Sequence, residues 1–198
     1  MEGTLRMTTL NARVGAAALV AGSGGTVLLK LVPTGLVPML VLALGLSALG
    51  AWAFADEMGL RKPLNRAGLV AFAFATMAKT MVLLQQPGSG QRFLVLYLFS
   101  LLLALLLWSL ALLHRDGSLK FAGALGAAGA VLPVLMLVAG HIFLGAGAIW
   151  GISALYGAAT AQPQASPAIV GIIDAIFLAW SLLVAAALWS GKIEPSAT

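Results

Sequence analysis

The stretch 68–85, GLVAFAFATMAKTMVLLQ, decides the fold class, because it is long and apolar enough to cross a bilayer. A membrane span needs about 20 mostly apolar residues, each adding roughly 1.5 Å of rise. This stretch also contains Lys79. A lysine within hydrocarbon is costly unless it reaches water or an opposite charge, so Lys79 predicts a polar site inside the membrane.

The composition extends the membrane interpretation to the whole chain. Of the 198 residues, 61% are hydrophobic and 9% are charged, against about a quarter charged in soluble domains; the mean hydropathy is +1.04. The net charge of +5 comes from basic residues scattered through short connections, which argues against nucleic-acid binding. The lipid bilayer is therefore the first predicted partner.

Six apolar runs satisfy the length requirement and predict an all-α, polytopic membrane helix bundle of six transmembrane helices. They form a single integral membrane domain, 1–198, with spans at 14–32, 36–55, 68–85, 93–113, 121–140 and 168–190. Proline- and glycine-containing segments, such as 33–35 and 87–90, separate the spans. The fifth region is elongated, because its apolar run extends to residue 158. Division of this run at Gly140 and His141 gives seven spans as the alternative.

Basic residues orient the predicted bundle, because cytoplasmic connections are enriched in lysine and arginine. The six-span arrangement places eight basic residues on the side of both termini: Arg6, Arg13, Arg61, Lys62, Arg66, Arg115, Lys120 and Lys192. The other side has only Arg92. We therefore predict a multi-pass protein of the cell inner (plasma) membrane with both termini in the cytoplasm. In this arrangement the 141–157 extension, with Trp150 and Tyr156, lies at the outer interface.

Small residues at helical spacing predict the faces on which the spans pack. The third span carries Ala71, Ala75 and Lys79 on one stripe, and the sixth carries Asp174 and Ser181 on another. The fourth span is mainly leucine, with only a narrow stripe of Tyr97, Ser100, Ala104 and Ala111. We therefore expect the fourth span to be the most lipid-exposed helix.

Polar side chains gather in the half of the bundle that we assign to the outer leaflet. Lys79 and Asp174 each lie roughly 10 Å from the outer end of their spans, so they share a level. Lys30, His141 and Tyr97 fall in the same half. These five residues form the predicted ligand-binding site, and we expect Lys79 and Asp174 to be coupled.

Three interpretations of this polar group remain open. The first is a structural ion pair between Lys79 and Asp174 in an accessory subunit of a larger complex. The second is a polar pocket, open to the outside, that binds a small or anionic ligand for transport or for delivery to a partner. The third is an enzyme acting on a lipid or isoprenoid, with His141 or Asp174 as acid or base. Partners would be other membrane subunits or further copies of the chain.

Motifs for catalysis are missing from the sequence. There is no G-x-S-x-G, H-E-x-x-H or P-loop pattern, and no cysteine. With six acidic residues in the whole chain, a carboxylate metal site would lack ligands. We therefore predict no catalytic residue, metal or cofactor, and we expect a non-catalytic protein.

In size and six-span design the chain resembles the substrate-binding components of vitamin uptake systems, which pair with an energy-coupling module. The resemblance implies that Ala12 and Ala16, four residues apart on the first helix, form a small-residue face on which such a module docks.

Overall fold

Six α-helices form the described part of the chain, residues 2–29, 37–84, 91–144, 167–191 and 193 of a computed structural model. They are α1 (Glu2–Leu28), α2 (Val37–Glu57), α3 (Pro63–Leu84), α4 (Gln91–Leu113), α5 (Ser118–Leu144) and α6 (Pro167–Trp189). The described residues contain no strand. The helices differ most from the predicted spans at α1, which begins at Glu2 rather than near residue 14.

The outer surface of the bundle is apolar, as a lipid environment requires. Large apolar side chains are exposed on each helix, including Leu42 on α2, Phe74 on α3 and Phe99 on α4. Five helices, α2 to α6, are long and apolar enough to cross a membrane. The predicted all-α membrane helix bundle is therefore confirmed. The described part of α1 is not among these five, and residues 30–32 of its predicted span lie outside the described residues.

The helices are arranged as a closed ring. Each helix contacts the next along the chain, and α6 contacts both α5 and α1. In the middle of α1, the guanidinium carbon of Arg13 lies 5.7 Å from the centre of the Trp189 ring at the end of α6. The first and last helices therefore complete the bundle together.

The direction of α6 distinguishes between the two predicted topologies. Asp174, near the start of α6, contacts Tyr97, near the start of α4. Trp180, further along α6, stacks on Trp108, further along α4. Helix α6 therefore runs parallel to α4, as in the six-span alternation. The seven-span alternative requires the opposite direction, so the structure favours six.

Glycines allow α1 and α2 to approach closely. A Cβ added at Gly50 on α2 would lie 2.5 Å from the backbone nitrogen of Leu19 on α1, and one at Gly22 would overlap Ser47. The Gly- and Ser-rich segment around Gly22 stays helical, and the Ser23 hydroxyl donates a hydrogen bond to the Leu19 carbonyl at 2.7 Å, which satisfies this buried hydroxyl within its own helix. Small residues therefore serve packing here, as lipid-embedded interfaces favour.

The expectation that the fourth helix is the most lipid-exposed is wrong. In Leu96–Leu113 of α4, 44% of residues are buried, against 33% in α2 and in α3. Leu101, Leu105 and Trp108 are each at most 2% exposed. A leucine-rich face can pack against protein as readily as against lipid, so composition alone misidentified this surface.

The two ends of the bundle differ in which connections and helix termini they contain. The basic end is the end formed by the α2–α3 connection (58–62) and the α4–α5 connection (114–117). The far end is the opposite one, where α3 ends and where α4 and α6 begin.

Candidate functional site

Three of the five predicted site residues meet near the far end of the bundle. Lys79 lies five residues before the end of α3, Tyr97 six residues after the start of α4, and Asp174 seven residues after the start of α6. Because α3 runs opposite to α4 and α6, these positions fall at one level. We call Lys79, Tyr97 and Asp174 the polar triad.

Tyr97 joins the other two members of the polar triad. Its hydroxyl donates a hydrogen bond to Asp174 Oδ1 at 2.5 Å. The ammonium nitrogen of Lys79 lies 4.1 Å from the centroid of the Tyr97 ring, well inside the roughly 6 Å within which a cation is attracted to an aromatic face. One side chain thus contacts the cation through its ring and the anion through its hydroxyl.

All three side chains are withdrawn from the surface. Lys79 is 6% exposed, Tyr97 7% and Asp174 5%. Hydrogen bonds to charged groups and cation–π contacts strengthen when they are desolvated. The small residues Ala71, Ala75 and Ala78 of α3 are also buried, so the predicted small-residue stripe does face the bundle interior and carries Lys79 there.

The remaining predicted site residues are not placed with the triad. His141 lies in α5, but its side chain is outside the described residues, as is Lys30. The predicted outer extension, with Trp150 and Tyr156, also lies mostly outside them. Whether these residues complete the site stays a prediction. The same holds for a ligand-binding role of the triad itself.

Sequence reasoning missed an aromatic cluster between the triad and the basic end. Its members are Phe54, Phe72, Trp108, Phe177 and Trp180. Trp108 and Trp180 stack at 5.7 Å with their planes 5° apart, and Phe54 meets both edge-on at 5.5 Å. The helical spacing of Ser100, Ala104 and Trp108 was the signal that could have found it.

The aromatic cluster packs next to the polar triad, on the side of the basic end. Phe177 lies three residues beyond Asp174 on α6 and stacks on Phe72 of α3 at 5.4 Å. Phe72 lies seven residues, or two turns, before Lys79 on the same helix. The aromatic cluster therefore packs directly beside the polar triad on α3 and α6.

The face that the resemblance assigns to docking is not available on the surface. Ala12 is 7% exposed and Ala16 is 2% exposed, and both belong to the buried core of the bundle. The implied docking role of Ala12 and Ala16 is therefore wrong for this arrangement of α1.

Comparison of the chain with protein-family models, with curated proteins and with solved structures finds no match. Among the described residues, no three His, Asp or Glu side chains are grouped so that they could hold a metal ion.

Proposed function

We propose that this membrane helix bundle is a non-catalytic subunit that binds a small or anionic ligand at the polar triad, for transport or for delivery to a partner. The observation that carries the proposal is the convergence of Lys79, Tyr97 and Asp174 from three helices. Charged residues within membrane segments are costly and mark ligand or ion pathways more often than packing sites.

The triad offers complementary chemistry to one ligand. The Lys79 ammonium supplies up to three hydrogen-bond donors and a positive charge. Asp174 accepts hydrogen bonds, and the Tyr97 hydroxyl holds one of its oxygens in place at 2.5 Å. An anionic group beside Lys79, with a donor directed to Asp174, would complement both charges.

We place the basic end in the cytoplasm and the triad towards the outer side of the inner membrane. The excess of lysine and arginine at the basic end supports this orientation. A reporter fused after Lys192 is expected to be active in the cytoplasm. Activity of that reporter on the outer side would reverse the orientation and would close the triad to outside ligands.

The direct test is copurification. The protein is extracted from its native membrane under mild conditions, and bound small molecules are identified by mass spectrometry. We expect Lys79→Met and Asp174→Asn to lose a small molecule that the parent protein retains. Lys120→Met and Asp56→Asn are matched controls, because both residues are exposed and lie at the basic end. Equal retention by all five proteins contradicts the proposal.

An accessory-subunit role is the second candidate. The observation in its favour is the packed aromatic cluster, in which Phe54, Trp108 and Trp180 are 0% exposed. A subunit that only supports a partner needs a solid interior and an apolar flank. In the same experiment this role predicts that a partner protein copurifies with the parent and with both triad variants, while no small molecule is lost.

A further inference from the structure

A concavity lies at the basic end, away from the polar triad. It is a cleft of about 460 Å³ between the α2–α3 connection, the first turn of α3 and the end of α4. We call it the basic cleft. Its lining residues are of two kinds. The apolar ones are Met58, Pro63, Leu64 and Ala111, and the polar ones are Lys62, Asn65, His114 and Arg115.

The electrostatics of the basic cleft favour an anion. Lys62 is exposed and immediately precedes Pro63, the first residue of α3. The amino end of a long helix carries a partial positive charge. In α3 this charge, rather than a row of open N–H groups, is what an anion would meet, because Pro63 has no N–H and the N–H groups of Asn65 and Arg66 bond to the Lys62 carbonyl oxygen. Arg115 lines the cleft from the α4–α5 connection. Two basic side chains and a helix amino end therefore converge on one concavity.

Asn65 is a second, independent indication of a ligand, because it favours an occupant that carries a hydrogen-bond donor. It is fully buried, and its Nδ2 donates hydrogen bonds to the carbonyl oxygens of Met58 at 2.8 Å and Gly59 at 3.1 Å. Those bonds fix the orientation of the amide. Its Oδ1 has no hydrogen-bond partner among the described residues. A buried acceptor without a donor costs about 1–3 kcal/mol, so an occupant of the cleft with a hydroxyl or ammonium group would relieve that cost.

The position of the cleft indicates where such an occupant comes from. The apolar span of α3 begins at this level and that of α4 ends there, which is the level of lipid headgroups. Leu64, which lines the cleft, and Leu110, one turn before His114, are both exposed to the surroundings of the bundle. An acyl chain could follow these side chains while the headgroup occupies the cleft.

We propose that the basic cleft binds the headgroup of a glycerophospholipid that carries both a phosphate and a hydrogen-bond donor, such as phosphatidylglycerol or phosphatidylethanolamine. Lys62, Arg115 and the amino end of α3 hold the phosphate, and Asn65 accepts from the hydroxyl or ammonium group. This site is independent of the ligand proposed for the polar triad, because the two lie at opposite ends of the bundle.

The test uses the full chain, freed of lipid and returned to phosphatidylcholine vesicles that contain a minor share of phosphatidylglycerol. Lipid retained on the protein is counted by native mass spectrometry. We expect phosphatidylglycerol to be enriched over phosphatidylcholine, and Lys62→Gln to reduce that enrichment at least about tenfold, the effect of losing a direct hydrogen bond between charged groups. Lys120→Gln is the matched control, because Lys120 is exposed at the same end but does not line the cleft.

Further measurements distinguish specific binding of a headgroup from general attraction to an anionic surface and from binding of a soluble anion. Phosphatidylethanolamine is expected to be enriched over phosphatidylcholine, which has no donor for Asn65. Arg115→Gln is expected to lower enrichment as Lys62→Gln does, and Lys62→Gln should keep the parent's unfolding temperature in the absence of phosphatidylglycerol. Equal effects of Lys62→Gln and Lys120→Gln would show general surface attraction and would overturn the proposal. So would displacement of the lipid by millimolar inorganic phosphate, which would assign the cleft to a soluble anion.

Discussion

The two halves of the bundle interior hold the helices together by different means. Towards the far end, the polar triad joins α3, α4 and α6 through a hydrogen bond of 2.5 Å and a cation–π contact of 4.1 Å. Towards the basic end, α2, α3, α4 and α6 meet through aromatic rings. Lipid is as apolar as these rings, so the aromatic half is stabilised by close packing and dispersion rather than by transfer out of water. The polar half is stabilised because its electrostatic contacts are stronger in a medium of low dielectric constant.

The two halves therefore differ in what they can do: the aromatic half is a packed support, and the polar half is a group of side chains that can exchange partners. Aromatic rings in close contact pack well in a single arrangement, and a change in the shape of one ring disturbs the packing of its neighbours. Charged groups can trade one partner for a ligand of the same charge. We therefore expect stability to depend on both halves and ligand retention on the polar half alone.

The largest expected effect is in the polar half. Lys79→Met or Asp174→Asn leaves an uncompensated polar group in a poorly solvated site, which costs about 3–5 kcal/mol by analogy with buried ion pairs. The double variant should recover much of that loss. Thermal unfolding in detergent or native membrane, arranged as a double-mutant cycle, measures the coupling. Additive losses would show that the two charges act independently.

Trp108→Ala tests the aromatic half. It removes a ring that contacts Phe54, Phe72 and Trp180, and we expect a loss of about 2–4 kcal/mol, somewhat below the value for water-soluble cores because the transfer contribution is smaller in lipid. Trp52→Ala is the control, since Trp52 is 48% exposed. Ligand retention should follow stability in this variant. A selective loss of ligand would mean that the aromatic half is part of the binding site.

Tyr97 allows the two contacts of the triad to be separated. Tyr97→Phe removes the hydrogen bond to Asp174 and keeps the ring beside Lys79, so we expect a loss of about 2 kcal/mol. Tyr97→Leu removes the ring as well and should cost roughly 1 kcal/mol more. Unfolding midpoints of the two variants give the difference. Identical midpoints would show that the ring contributes nothing to holding Lys79.

The smallest expected effect concerns the space under Trp108. A Cβ at Gly68 would lie 2.5 Å from Trp108 Nε1, so Gly68→Ala should cost about 1 kcal/mol as the ring shifts. Gly45→Ala is the matched control, because no atom lies within 4 Å of a Cβ at Gly45; helix propensity predicts that it is neutral or slightly stabilising. A stabilising Gly68→Ala would mean that the indole has room to move.

The sequence predicts the elements of this fold better than their contacts. Uninterrupted apolar length identified the spans of α2 to α6, and depth from the span ends brought Lys79 and Asp174 to one level and Tyr97 to the same half of the bundle. Those inferences depend on one-dimensional distance along a helix. The burial of Trp108 and the closure of α6 on α1 depend on which helices become neighbours, and apolar runs of similar composition do not encode that choice. Asn65 likewise shows no special pattern, although it is fully buried in the first turn of α3.

The separation of the triad along the chain has a consequence for biosynthesis. Tyr97 and Asp174 are 77 residues apart, which is several seconds of translation at about 5–20 residues per second. Lys79 enters the membrane before Tyr97, and both enter long before Asp174 has been made. During that interval Lys79 can meet Tyr97, on the following helix, before Asp174 is present. The Tyr97 ring is thus available to the Lys79 charge before the acidic neighbour of both arrives with α6.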